Sequence, residues 1–176
     1  MQMRISEQIT LVAATLAHVC AELDAPGELA ALLGAEVSSA WPAGEYDRDA
    51  IEFFRARLEE GGADVAGWYG WYAIREADAE SPRTLVGAGG YFGPPDAEGT
   101  VEIGYSVLPR WQRRGYAGLM VAALVARAFT FARVERVIAH TTEANVASVA
   151  VLRRCGFAMT GGGREPGTVR FERRCA

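Results

Sequence analysis

The sequence predicts an α/β fold, a single domain over residues 1–176 built on a mixed sheet flanked by helices. One observation is the set of strand-like runs Trp68–Arg75, Thr84–Phe92 and Thr100–Leu108, joined by the turn-rich segments 78–83 and 93–96. Strands joined by short turns form an antiparallel meander. Another is the apolar run Tyr116–Phe131, followed by the strand-like Val134–His140. That strand lies too far from its predecessor for a hairpin, so a helix-bearing parallel crossover is predicted. No internal repeat or linker interrupts the chain.

The remaining elements follow from local chemistry. Residues 8–12 read as a first strand. Ala13–Leu33 is helical in composition but broken by Asp24-Ala25-Pro26-Gly27, which predicts two short helices around a turn. Ser38–Tyr46, with Trp41-Pro42 and Gly44, is a loop. Asp47 is placed to N-cap a helix over Arg48–Glu60 that carries Ile51, Phe54 and Leu58 on one face and ends at Gly61. Tyr116–Phe131 is apolar nearly all round, with Arg127 and Thr130 as its wet stripe, as suits a helix packed on a sheet. Asn145 caps a helix with Ser148, Val151, Leu152 and Cys155 on one side and Arg153 and Arg154 on the other, ending at Gly156-Phe157. Ala158–Thr160 and Thr168–Arg173 form a closing hairpin.

Composition excludes several classes. Half of the residues are apolar and 23% are charged, so the chain folds. A net charge of −4 argues against a general nucleic-acid or anionic-membrane binder. No apolar run reaches the roughly 18 residues that span a bilayer, and Met1–Glu7 lacks the apolar core of a signal peptide, so a cytoplasmic location is expected. Cys20, Cys155 and Cys175 have no metal-ligand spacing and read as ordinary reduced cysteines; no metal is expected.

The segment Gln112-Arg113-Arg114-Gly115-Tyr116-Ala117 opens the apolar helix. Amides at a helix start are unpaired, point outward and sit at the positive end of the dipole, and Gly115 lets backbone approach a ligand closely. The loop is therefore suited to phosphate. It lacks the Gly-Lys-Ser/Thr of a Walker loop and is not Gly-x-Gly-x-x-Gly, so a pyrophosphate in a different cradle is indicated.

Two stretches carry a family resemblance. Glu102-Ile103-Gly104-Tyr105-Ser106-Val107-Leu108-Pro109 runs into Gln112-x-x-Gly115-x-Ala117, and Asn145-x-x-Ser148-x-x-Val151-Leu152-x-x-x-Gly156-Phe157 follows. In this order and at this separation they resemble the GNAT N-acetyltransferase superfamily, and within it the ribosomal-protein N-terminal (alanine) acetyltransferases. The match rests on residues 100–160; the first hundred agree only in the order of elements. The resemblance implies a mixed, mostly antiparallel sheet of about six or seven strands, with acyl-CoA in a cleft where the parallel strands Thr100–Leu108 and Val134–His140 splay apart. It implies an acetyltransferase in which a primary amine, either a protein N-terminal α-amine or a small-molecule amine, attacks the thioester of acetyl-CoA directly.

The resemblance also assigns residues. Arg113, Arg114, Gly115, Tyr116, Ala117 and Gly118, with Gln112, would cradle the pyrophosphate. Tyr105, Ser106 and Val107 would pair with the pantetheine arm, and Asn145 and Ser148 would touch it. The Val107 N–H would polarise the thioester carbonyl, a contribution typically worth about 3 kcal/mol of barrier. Aliphatic amines are mostly protonated at neutral pH, so a base is useful, and Glu102 is the candidate; a carboxylate in water or in a salt bridge is the plain alternative. Leu152 stands where many relatives carry a tyrosine that protonates the departing thiolate, and leucine cannot. Ser148, a water, another residue or unaided departure remain open.

Acceptor specificity is implied in Ala25–Tyr46 and Gly161–Thr168. Trp41, Trp68, Trp71 and Tyr72 either line an acceptor slot or fill the core. Glu45, Asp47 and Asp49 either attract a cationic amine or start a helix. The strand Thr168–Arg173 offers an edge for a homodimer. The competing readings are a catalytically idle acyl-CoA-binding module and a nucleotide-binding protein, the latter disfavoured by the missing Lys-Ser/Thr.

Overall fold

The computed structural model describes residues 1–44 and 46–175. The strands are β1 (Gln2–Arg4), β2 (Ile9–Ala13), β3 (Gly70–Arg75), β4 (Thr84–Tyr91), β5 (Thr100–Val107), β6 (Arg136–Thr142), β7 (Ala158–Gly162) and β8 (Thr168–Arg174). The helices are α1 (Leu16–Asp24), α2 (Pro26–Leu33), α3 (Arg48–Gly61), α4 (Tyr116–Ala128) and α5 (Val146–Arg154). One eight-stranded sheet runs in the order β1-β2-β3-β4-β5-β6-β8-β7, antiparallel at every step except β5-β6. The meander and the parallel crossover are as the sequence predicts. The additional strand is β1, whose three residues are too few for their alternation to mark a strand and which pairs with β2.

Both faces of the sheet are covered, which is why β2 and β3 are buried at every residue instead of alternating. On one face Met120, Val121, Leu124 and Val125 of α4, with Leu152 of α5, pack on Trp71, Val86, Val101, Ile103 and Val137. On the other, Val19, Leu29, Leu33, Ile51, Phe54 and Leu58 of α1–α3 pack on Tyr72, Ile74, Leu85 and Ala88. Each large side chain so buried contributes roughly 1.5–3 kcal/mol of transfer free energy. Helix boundaries follow their caps: Asp47 accepts from the Ala50 N–H at 3.0 Å, Pro26 opens α2, and Asn145 accepts from the Ser148 N–H at 3.1 Å.

Two expectations are corrected. Arg127 is not on a wet stripe: its guanidinium lies 5.0–5.5 Å from the ring centres of Trp68, Trp71, Tyr91 and Phe131. Cation–π attraction lets α4 carry a cation on a packed face; Thr130 is exposed as expected, and Ala122 and Ala126 are exposed in place of Arg127. The closing hairpin also inserts the other way round from an edge. β8 lies between β6 and β7, so Thr168–Arg173 has no free edge for a homodimer.

Candidate active site

The site begins where two strands part. β5 and β6 pair only over Thr100–Glu102 and Arg136–Ile138. Beyond Glu102, β5 continues to Val107 and β6 to Thr142 without pairing each other. Leu108 donates to the Val86 carbonyl and Phe92 to the Glu102 carbonyl, which fixes the even-numbered residues of β5 as the ones bonded to β4. Antiparallel alternation then turns the N–H groups of Tyr105 and Val107 to the other edge, into the gap. The Val107 carbonyl there accepts the Gln112 side-chain amide at 3.0 Å, so Gln112 braces the strand to the loop.

At the end of the gap lies the start of α4. Among the described residues, none of the six backbone N–H groups from Arg113 to Gly118 finds a protein acceptor. Arg113 has φ of 59° and Gly115 of 85°, left-handed backbone that turns successive amides to one side and forms a nest for an anion. A non-glycine residue at such a φ is uncommon and points to a functional constraint. Side chains built at Gly115 or Gly118 would meet nothing within 4 Å, so the space over the nest is open. The cradle therefore fits a pyrophosphate. Arg113 is exposed beside it, whereas the Arg114 guanidinium lies 5.0 Å from the centre of the Trp111 ring. Tyr116 puts its ring in the core, so only its amide faces the nest.

The gap is bridged on the α4–α5 side by a hydroxyl pair, the Tyr105 and Ser148 oxygens 2.9 Å apart. Burial pushes Tyr105 up to about 12, against the opposing pull of its bond to Ser148. Asn145 holds Ser148 in place through the helix cap. Leu152 is fully buried in the core. Ser106 points to the opposite face, beneath the loop at Gly44, where an added Cβ would come within 2.6 Å of its hydroxyl oxygen.

On that opposite face Glu102 is held by two partners. His140 Nδ1 lies 2.9 Å from Oε1, and Arg164 in the β7–β8 turn donates to Oε2 at 2.8 Å. The Glu102 and His140 side chains are 17% and 18% exposed, Arg164 75%. Among the described residues the other ring nitrogen of His140 has no protein partner, and it is not sealed from solvent. Neither His140 nor Arg164 stands out in the sequence as a site residue. The one signal for His140 is its place directly after the apolar run Val137-Ile138-Ala139, two residues past Ile138, the register partner of Glu102.

Of the candidate acceptor aromatics, Trp68, Trp71 and Tyr72 are buried. Trp41 is partly buried and donates to Glu22, as do Tyr46 and Tyr72. Asp47 caps α3 and Asp49 lies in its first turn, so both start a helix; Glu45 lies outside the described residues.

A family model described as an acetyltransferase (GNAT) domain matches residues 14–158. The chain belongs to the GNAT acetyltransferase family. The resemblance carried by the two motif stretches is borne out, and with it the reading as an enzyme of the acyltransferase class. The chain is 29% identical over 125 residues, 71% of each protein, to the uncharacterized N-acetyltransferase YjdG of Bacillus subtilis (strain 168). Among solved structures it matches the Salmonella typhimurium acetyl transferase that modifies the N-terminal serine of 50S ribosomal subunit protein L7/L12, with a TM-score of 0.65 and 18% identity over 100% of both chains. It also matches the microcin C7 self-immunity acetyltransferase MccE, solved with acetyl-CoA and AMP, at a TM-score of 0.65 and 15% identity over 98% of this chain and 96% of that one. At such identities the shared property is the GNAT fold.

Proposed function

We propose that this GNAT protein transfers the acetyl group of acetyl-CoA to a primary amine, the amine attacking the thioester directly. The observation that carries the reading is the unpaired edge of β5 running into six unpaired amides over open space. Acetyl-CoA supplies an activated acyl carbon. The nest from Arg113 to Gly118 holds its pyrophosphate, and the free N–H groups of Tyr105 and Val107, with the Tyr105 carbonyl, meet its pantetheine arm, with Asn145 and Ser148 flanking it. The Val107 N–H is the donor for the carbonyl oxygen as charge builds on it.

Glu102 and His140 form the proton-accepting end. With Nδ1–H donating to Glu102, the open nitrogen of His140 carries a lone pair and Glu102 fixes the tautomer. The amine nitrogen bonds to the acyl carbon, gives up its proton to this pair, and the C–S bond breaks. The Ser148 hydroxyl, backed by Tyr105, is the donor closest to hand for the departing sulfur, because Leu152 is buried in the core. The transfer needs no metal. Within the family the acceptors considered are a peptide N-terminal α-amine and a small-molecule amine.

Calorimetric titration of acetyl-CoA into wild type and Gly118→Glu tests this reading. Gly118 lies in the first turn of α4, with nothing within 4 Å of an added Cβ, so the fold tolerates a side chain whose carboxylate repels the pyrophosphate. Micromolar binding by wild type, weakened tenfold or more in the variant, is the result expected. A folded wild type that fails to bind acetyl-CoA would overturn it.

A further inference from the structure

The acceptor side of the site has a shape and chemistry of its own. A pocket of about 510 Å³ opens between α3 and the point where β5 and β6 part. Glu102 and Ile138, the last paired residues before the gap, line its floor. Its walls are Phe53, Phe54 and Phe92, whose ring centres stand 5.6–6.5 Å from one another. Two of these rings are bare. Phe53 is 41% exposed and Phe92 48% exposed, and both face a pocket with a carboxylate at its base. Large apolar side chains clustered around a concave polar point are the signature of a ligand site.

Two details tie this pocket to the gap and to Glu102. Phe92 lies over Gly104, where an added Cβ would come within 3.1 Å of the ring, so the absence of a side chain lets the ring lie against the strand that borders the gap. The pocket also already holds a cation. The Arg164 guanidinium on Glu102 Oε2 marks where a positive group sits, and its side chain is exposed enough to withdraw. An incoming ammonium takes that place and brings its nitrogen next to the Glu102–His140 pair.

We infer that the acceptor is a primary amine carrying an apolar, ring-sized group within a few bonds of its nitrogen, seated against Phe53 and Phe92 with the ammonium on Glu102. This rests on the acetyltransferase reading above. The chemistry has two sources, a free amine such as phenethylamine and the first residue of a peptide such as Phe-Ala-Ala. Asp96 and Thr100 also line the pocket, but the three rings offer a hydroxylated substituent nothing to bond with, so a polar counterpart seated against them loses its hydration without compensation.

The test is a rate comparison with the intact protein and acetyl-CoA, reading released thiol with phenethylamine, ethanolamine, Phe-Ala-Ala and Ser-Ala-Ala. The apolar member of at least one pair is expected to show a kcat/KM on the order of a hundredfold above its polar partner, and which pair does so names the source. In Phe53→Ala, with an unchanged melting temperature as the check on folding, that preference falls about tenfold. Equal or better turnover of ethanolamine and Ser-Ala-Ala overturns the apolar acceptor while leaving acetyl transfer standing. No turnover of any amine by protein that binds acetyl-CoA overturns both.

Discussion

Glu22 and Glu102 are both carboxylates withdrawn from water on the α1–α3 face of the sheet, yet they keep different company. Glu22, on α1, accepts from the Trp41 indole at 2.6 Å, the Tyr46 hydroxyl at 2.8 Å and the Tyr72 hydroxyl at 2.6 Å. All three donors are neutral, and Tyr46 and Tyr72 are buried. Glu102 is held by an imidazole and by a guanidinium that is 75% exposed. A closed cage of neutral donors fixes geometry and has nowhere to send a proton. An exposed, exchangeable guanidinium at the mouth of a pocket leaves a carboxylate able to change its counter-ion. The difference separates a lock that ties Trp41 and Tyr46 to α1 and β3 from the base proposed above.

Removing each carboxylate should therefore break different things. Glu102→Gln is expected to lower kcat/KM on the order of a hundredfold or more. Acetyl-CoA affinity and melting temperature should stay unchanged, read by thiol release, calorimetry and a thermal melt. Full turnover in that variant would return Glu102 to a merely structural role. Glu22→Ala should do the reverse. It strands three donors, a loss of about 3 kcal/mol and a fall of roughly 10 °C in melting temperature for a chain of this size, with acetyl-CoA affinity kept.

The comparison sharpens with pH. Burial pushes the Glu22 carboxyl above its ordinary value, and its three hydrogen bonds pull the other way without cancelling that effect. The folded state then binds this proton more tightly than the unfolded chain does. The resulting stability is complete below the ordinary value of 4.5 and is lost as pH rises through the folded-state value. Urea titrations from about pH 4 to about pH 7 should show Glu22→Gln losing that downward slope; an unchanged slope would assign it to another group. The smallest effect belongs to Tyr46→Phe, which deletes one donor of the three. It should cost about 1 kcal/mol in urea melts and leave kcat untouched.

What the sequence made legible was whatever is local. Asp47 announces α3, Pro26 separates α1 from α2, and the spacing of Ile51, Phe54 and Leu58 marks the buried face because cap and period act within a few residues. The motif residues of the nest and of α5 lie where their spacing places them. Tertiary pairings were not legible. Nothing near Arg127 shows that rings at Trp68 and Trp71 will receive it. Glu102 meets partners 38 and 62 residues away, and Glu22 is joined by Tyr72 from 50 residues on. The insertion of β8 between β6 and β7 is a property of the whole sheet, and no strand pattern encodes it.

That insertion has a consequence for how the molecule comes into being. Chains leave the ribosome in sequence order, and domains fold as they emerge. A nascent chain that has delivered everything through β7 still has a vacancy beside β6, because the strand that fills it is made afterwards and must slot into the middle of the row. The same late hairpin carries Arg164. The acidic group at the heart of the pocket therefore waits, without its guanidinium counter-ion, until β8 has paired with β6, so the maturation of the pocket is timed by that strand.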